Sequence, residues 1–126
     1  MTRDILIVIR RGPYGGFQAA EGLRHANGAI SLGFRPIVAL VDDGVYLAKA
    51  DQNPGQGPWL SLGGTLEEVI ARGLYEKKDS PAEFYVEKES LITRGLDLEE
   101  LIEDLEPVDH CKVSELLAAN RLQLIF

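Results

Sequence analysis

Residues 5 to 16 read ILIVIRRGPYGG, and the rest of the chain is organised around them. Five β-favouring apolar residues, Ile5 to Ile9, run into Arg10 and Arg11 and then a turn holding Gly12, Pro13, Gly15 and Gly16. A helical pattern follows, so the stretch is a buried strand, a phosphate-sized loop and a helix. A strand that is apolar on both faces must be covered on both, which is what a parallel sheet flanked by helices provides. We therefore expect an α/β fold with this segment as its central strand and the loop at the ligand-binding end of the sheet.

The next elements complete a βαβ unit. Phe17, Ala20, Leu23, Ala26 and Ile30 recur at spacings of three and four, one face of a helix over residues 17 to 32. Gly22 and Gly28 lie inside it at about 1 kcal/mol each relative to alanine, and close packing of the helix on the sheet is the expected return. Gly33 ends the helix in the left-handed conformation, and Arg35 to Val41 (RPIVALV) forms the second buried strand. The crossover is expected to be right-handed.

Beyond the second strand the signals are shorter. Asp42-Asp43-Gly44 suggests an aspartate N-cap for one or two helical turns through Ala48. DQNPGQGP, residues 51 to 58, reads as a loop, and Trp59 and Leu60 then close the core or cover a partner. Thr65-Leu66-Glu67-Glu68 is a capping box opening a helix, and Asp97-Leu98-Glu99-Glu100 resembles a second. Phe84 to Val86, Pro107-Val108 and Leu122 to Phe126 are the remaining strand candidates, and Val113 to Ala119 is a last helix. Five acidic residues between Glu99 and Glu106 share no spacing with a histidine and read as a solvated face rather than a metal site.

Composition bounds the function. A chain of 126 residues without repeat or linker is one domain. A net charge of −7 argues against a nucleic-acid partner, since binding a polyanion needs a clustered basic surface. A single cysteine excludes an intramolecular disulfide and any Cys-rich zinc or iron–sulfur site, and no cofactor is expected. The short N-terminal apolar run is neither a leader nor a membrane span, so the expected compartment is the cytoplasm.

Two regions carry candidate chemistry. In the opening loop, backbone amides at Gly15 and Gly16 with Arg10, Arg11, Gly12 and Tyr14 would face a small anion or nucleotide, although GPYGG is neither a Walker loop nor a dinucleotide fingerprint. The competing reading is structural: the glycines turn the chain, and Arg10 and Arg11 meet Asp42 and Asp43. The second region is Asp109-His110-Cys111-Lys112. A thiol near a helix start with histidine and lysine beside it has surroundings that favour the reactive thiolate. Burial as a small hydrophobe is the commoner fate of a free cysteine, and a surface or capping role the commoner one for His110.

The order and spacing of ILIVIRRGPYGG, PIVALVDDGVYLAKADQNP (Pro36 to Pro54), YVEKESLITRGL (Tyr85 to Leu96) and the terminal LQLIF resemble the DsrE/DsrF/TusC-like sulfur-relay family over nearly the whole chain. The resemblance implies a mostly parallel five-stranded sheet with helices on both faces, assembled as a homo-oligomeric trimer or hexamer, in proteins that pass sulfur as cysteine persulfide or serve as non-catalytic subunits. In the sulfur-carrying members a cysteine follows the third strand, and laid on this chain that position falls at or near Glu87. Residues and resemblance together leave three expectations: a sulfur-relay subunit without the usual cysteine, sulfurtransferase-like at most, meeting a sulfur-carrier partner or using Cys111; a small-anion or nucleotide module built on Gly12 to Gly16, with Asp43 and Glu87 among its ligand-binding candidates; or a structural oligomer using Val45, Tyr46, Leu47, Trp59 and Leu60.

Overall fold

The structure, a computed structural model, describes residues 3–56, 61–76 and 79–126. Five strands, β1 (Arg3–Ile9), β2 (Phe34–Leu40), β3 (Glu83–Glu87), β4 (Glu106–Val108) and β5 (Gln123–Ile125), form one sheet in the order β4-β3-β2-β1-β5. All four pairings are parallel. The middle strand is thus β2, with β1 beside it, which corrects the expectation that the opening strand is central. The reason lies at the other end of the chain: β5 adds to the free side of β1, with Leu6 N–H donating to Leu122 O (2.9 Å) and Phe126 N–H to Val8 O (2.8 Å).

The two faces of β1 explain its sequence. Ile7 and Ile9 join the larger core with Leu23, Ala26 and Ile30 of α1 (Gln18–Ser31) and Leu66, Val69 and Ile70 of α2 (Leu62–Ala71). Leu6 and Val8 face the other way and pack with Val113 and Leu116 of α4 (His110–Ala119), which leads from β4 at one edge of the sheet to β5 at the other. All four strand residues are at most 4% exposed. Each buried aliphatic side chain of this kind stabilises by about 1.5–3 kcal/mol, against at most about 1 kcal/mol for an exposed ion pair. The apolar run, not the arginines after it, holds the strand in place.

Several local expectations change. Within α1 only Gly22 is a close-packing position: a Cβ there would lie 2.7 Å from the Ile9 side chain, whereas one at Gly28 would meet nothing within 4 Å. Gly33 is left-handed (φ 84°), as its place after the helix required. The segment Asp42–Ala48 is a 3₁₀ helix, but neither aspartate caps it: Val41 holds the N-cap position without a side-chain bond, and Asp42 itself is left-handed (φ 50°). Helix α2 starts three residues before the expected capping box. Ser61 is the N-cap and accepts from Gly64 N–H, while the Thr65 hydroxyl donates back to Ser61 O, so Thr65 is an interior residue. The second box is present, Asp97 and Glu100 satisfying each other's backbone at the 3₁₀ turn Leu98–Glu100.

An unforeseen helix, α3 (Lys88–Thr93), follows β3 directly. Only Ser90 and Leu91 in it are buried, too few to give a helical period in the sequence. Val45 and Leu47 are fully buried in the core rather than available to a partner, and Tyr46 alone of the described residues in that proposed interface is exposed. Trp59 and Leu60 lie outside the described residues. The acidic run behaves as a solvated face, with Glu99, Glu100, Glu103, Asp104 and Glu106 all exposed.

Candidate functional site

A fully parallel sheet brings the C-terminal ends of its strands to one edge, and the segments after β1, β2, β3 and β4 meet there. The backbone sets the frame. Gly44 N–H donates to Arg10 O (3.1 Å) and Val41 N–H to Ile9 O (3.1 Å), which folds the segment after β2 across the end of β1. A Cβ on Gly44 would lie 2.0 Å from Ile9 O, so only glycine permits this crossing.

Side chains then link the strand ends in series. Arg10 Nε donates to Asp42 (3.0 Å), Asp42 N–H donates to the Ser90 hydroxyl (2.9 Å), and that hydroxyl donates to the Glu87 carboxylate. Arg94 Nε donates to Asp43 (2.9 Å) and its Nη1 to Ser90 O (3.3 Å). Arginines and aspartates do meet as the structural reading proposed, but Asp43 is taken by Arg94, and the Arg10–Asp42 pair is open to solvent, with side-chain exposures of 61% and 48%. Ser90, which joins the segment after β2 to the one after β3, was missed because a lone buried serine leaves no pattern in a sequence.

The register pairs Glu87 of β3 with Val108 of β4. Three residues beyond Val108, Cys111 stands in the first turn of α4, and it is exposed. This overturns the reading of Cys111 as a small buried hydrophobe: the helix turns its apolar face, Val113 and Leu116, to the sheet and leaves the thiol in water. Asp109 caps the helix by accepting from Lys112 N–H (3.0 Å). Glu89 in α3 reaches across and accepts from both His110 N–H (3.1 Å) and His110 Nδ1. That hydrogen bond raises the His110 pKa above its ordinary value, and the two donors of His110 hold the Glu89 carboxyl below its own. The other Glu89 oxygen is buried without a partner among the described residues.

A cavity of about 370 Å³ opens beside the Gly12 loop and is lined by Gly12, Pro13, Tyr14, Asp43, Tyr46, Lys49 and Gln52. It unites three of the candidate ligand residues, Gly12, Tyr14 and Asp43, and adds Pro13, Tyr46, Lys49 and Gln52, none of which the sequence reading chose as a ligand residue. Arg10, Arg11, Gly15, Gly16 and Glu87 are outside it, and so are His110 and Cys111. The Gln18 carboxamide oxygen lies beside Gly16, 2.6 Å from where a Cβ would be.

Comparison with known proteins agrees with this architecture. Residues 3–125 match the DsrE/DsrF-like family. The uncharacterized protein MK0008 of Methanopyrus kandleri is 36% identical over 103 residues, covering 81% of this chain and 76% of that protein. The uncharacterized protein MJ0989 of Methanocaldococcus jannaschii is 35% identical over 98 residues, covering 77% and 76%. Among solved structures, the YchN protein of Escherichia coli superposes over the full length of both chains with a TM-score of 0.79 at 20% identity. The protein of unknown function MTH1491 from Methanobacterium thermoautotrophicum does so with a TM-score of 0.70 at 13%. No helix among the described residues is long and apolar enough to cross a membrane. From the opening strand to the last, in sequence profile and in fold, this chain belongs to the DsrE/DsrF-like family.

Proposed function

We propose that the protein is a cytoplasmic sulfur-relay subunit, working as a homo-oligomer, that takes up sulfane sulfur on Cys111 in place of a thiol at the end of β3. The observation that carries this is the pairing of Glu87 with Val108: α4, with its exposed cysteine in the first turn, begins just after the strand that neighbours the one at whose end the resemblance expects the persulfide. Glu87 cannot carry sulfur, and its carboxylate accepts the Ser90 hydroxyl. The positive end of the α4 dipole favours an anionic sulfur species near its first turn.

The step is a sulfur transfer without net oxidation. The Cys111 thiolate attacks the outer sulfur of a donor persulfide, R–S–SH. The donor S–S bond breaks, R–S⁻ leaves, and Cys111–S–SH forms with the proton retained on the transferred sulfur. Passing that sulfur to an acceptor thiolate is the same step in reverse.

Incubating the folded protein with glutathione persulfide and measuring intact mass tests this. The expected result is a gain of about 32 Da, one sulfur atom, that is lost in Cys111→Ser and retained in Glu87→Gln. Absence of the adduct on a thiol that alkylates like free cysteine would leave a non-carrying subunit, and light scattering showing a strict monomer would remove the oligomeric part.

A further inference from the structure

We propose that the cavity lined by Tyr14, Tyr46 and Lys49 is a binding site for a flat organic anion with a single negative charge, an aromatic carboxylate being its simplest form. Its charge follows from the partners. Asp43 contributes a carboxylate to the wall, but Arg94 neutralises it at 2.9 Å. Lys49 makes no ion pair among the described residues, so the cavity presents one uncompensated positive charge in a chain whose net charge is −7. A cationic ligand would be repelled by that ammonium. An anion would gain a charge-assisted hydrogen bond from it.

The shape follows from the walls. Tyr46 is 37% exposed, and with Pro13 it gives the site ring surfaces suited to a planar guest. A volume of about 370 Å³ is at the small end of ligand cavities. Inorganic phosphate would leave those rings idle, and Pro13 lacks an N–H to offer it.

The site is also held in shape before any ligand arrives. Gln52 Nε2 donates to Tyr46 O (2.9 Å), Leu47 O (3.3 Å) and Lys49 O (2.8 Å), clamping the backbone that carries both Tyr46 and Lys49. Lys49 is pinned again by an antiparallel bridge to Leu101, with its neighbour Ala50 N–H donating to Glu100 O (2.7 Å). Little backbone order is left to be bought on binding, so even a small anion can bind measurably.

Titration of the full chain with benzoate, followed by NMR or calorimetry, tests the proposal. Saturable binding is expected, weakened about tenfold or more in Lys49→Met and severalfold in Tyr46→Leu, and unchanged in Lys112→Met. Cyclohexanecarboxylate, matched in charge but not planar, should bind severalfold more weakly than benzoate, and inorganic phosphate should not compete. Failure to saturate by about 10 mM benzoate, equal affinity in Lys49→Met, or equal affinity for the non-planar acid would each overturn it. Sulfur loading of Cys111 is unaffected in Lys49→Met under this scheme, so the two proposals fail separately.

Discussion

The two ends of the sheet are built from the same residue types and ordered in different ways. At the N-terminal end Arg35 grips Asp4 with two hydrogen bonds, 2.9 and 2.7 Å, across the β1–β2 register, with Glu83 at 3.5 Å and the Tyr85 hydroxyl donating to Glu83. These groups are half-buried and their charges answer one another. The Arg35 hydrogen bond holds Asp4 below the usual carboxylate range, and burial with the Glu83 carboxylate pushes the Tyr85 pKa up to about 12. At the C-terminal end the Arg10–Asp42 and Arg94–Asp43 contacts are single bonds with exposed aspartates, and Lys49 is left over. One end spends its charges on itself; the other keeps them accessible and takes its order from the backbone.

The largest test of that contrast is Gly44→Ala. The C-terminal end should fail through its backbone, with a loss of about 3 kcal/mol or more in urea unfolding, because the added methyl meets the fixed Ile9 carbonyl. A loss below 1 kcal/mol would mean that the crossing of β1 is soft. Next is the ion pair at the other end: Arg35→Ala is expected to cost about 1–2 kcal/mol, the value for charged hydrogen bonds discounted for partial exposure.

The same pair sets a pH dependence. Because the folded-state pKa of Asp4 is depressed, its contribution is present above the unfolded value of 3.8 and disappears as pH falls through the folded one. The stability gap between the wild type and Asp4→Asn should therefore hold from neutral pH down to that value and close below it. The smallest effect belongs to Arg10→Ala, within about 0.5 kcal/mol, since its partner is solvated. A larger loss there would erase the distinction between the ends.

How much of this was legible depended on how local each signal was. The apolar run of β1, the spacing of α1 and the left-handed Gly33 each announce themselves within a few residues. Helix α2 misled because Thr65 with Glu68 has the form of a capping box, whereas Ser61 caps a helix running through Gly63 and Gly64, and Gly63 fits closely against the Gln52 carboxamide. The equivalence of Gly22 and Gly28 in sequence dissolves in three dimensions, since only one of them faces Ile9. At the candidate sites the chain named Cys111, Tyr14 and Asp43, but not Lys49, Gln52 or Ser90. Their roles arise from contacts between segments, and a single sequence records no such partners.

The placement of β5 has a consequence for synthesis. Its residues pair with Leu6, Ile7 and Val8, more than one hundred positions earlier in the chain. Until β5 is made, β1 can be zipped to β2 on one side only, and an apolar strand stands at an open edge of the sheet. Such an edge is a template for pairing with other chains. Until then the nascent protein carries that apolar edge bare, and covering it falls to the last strand of the sheet to be made.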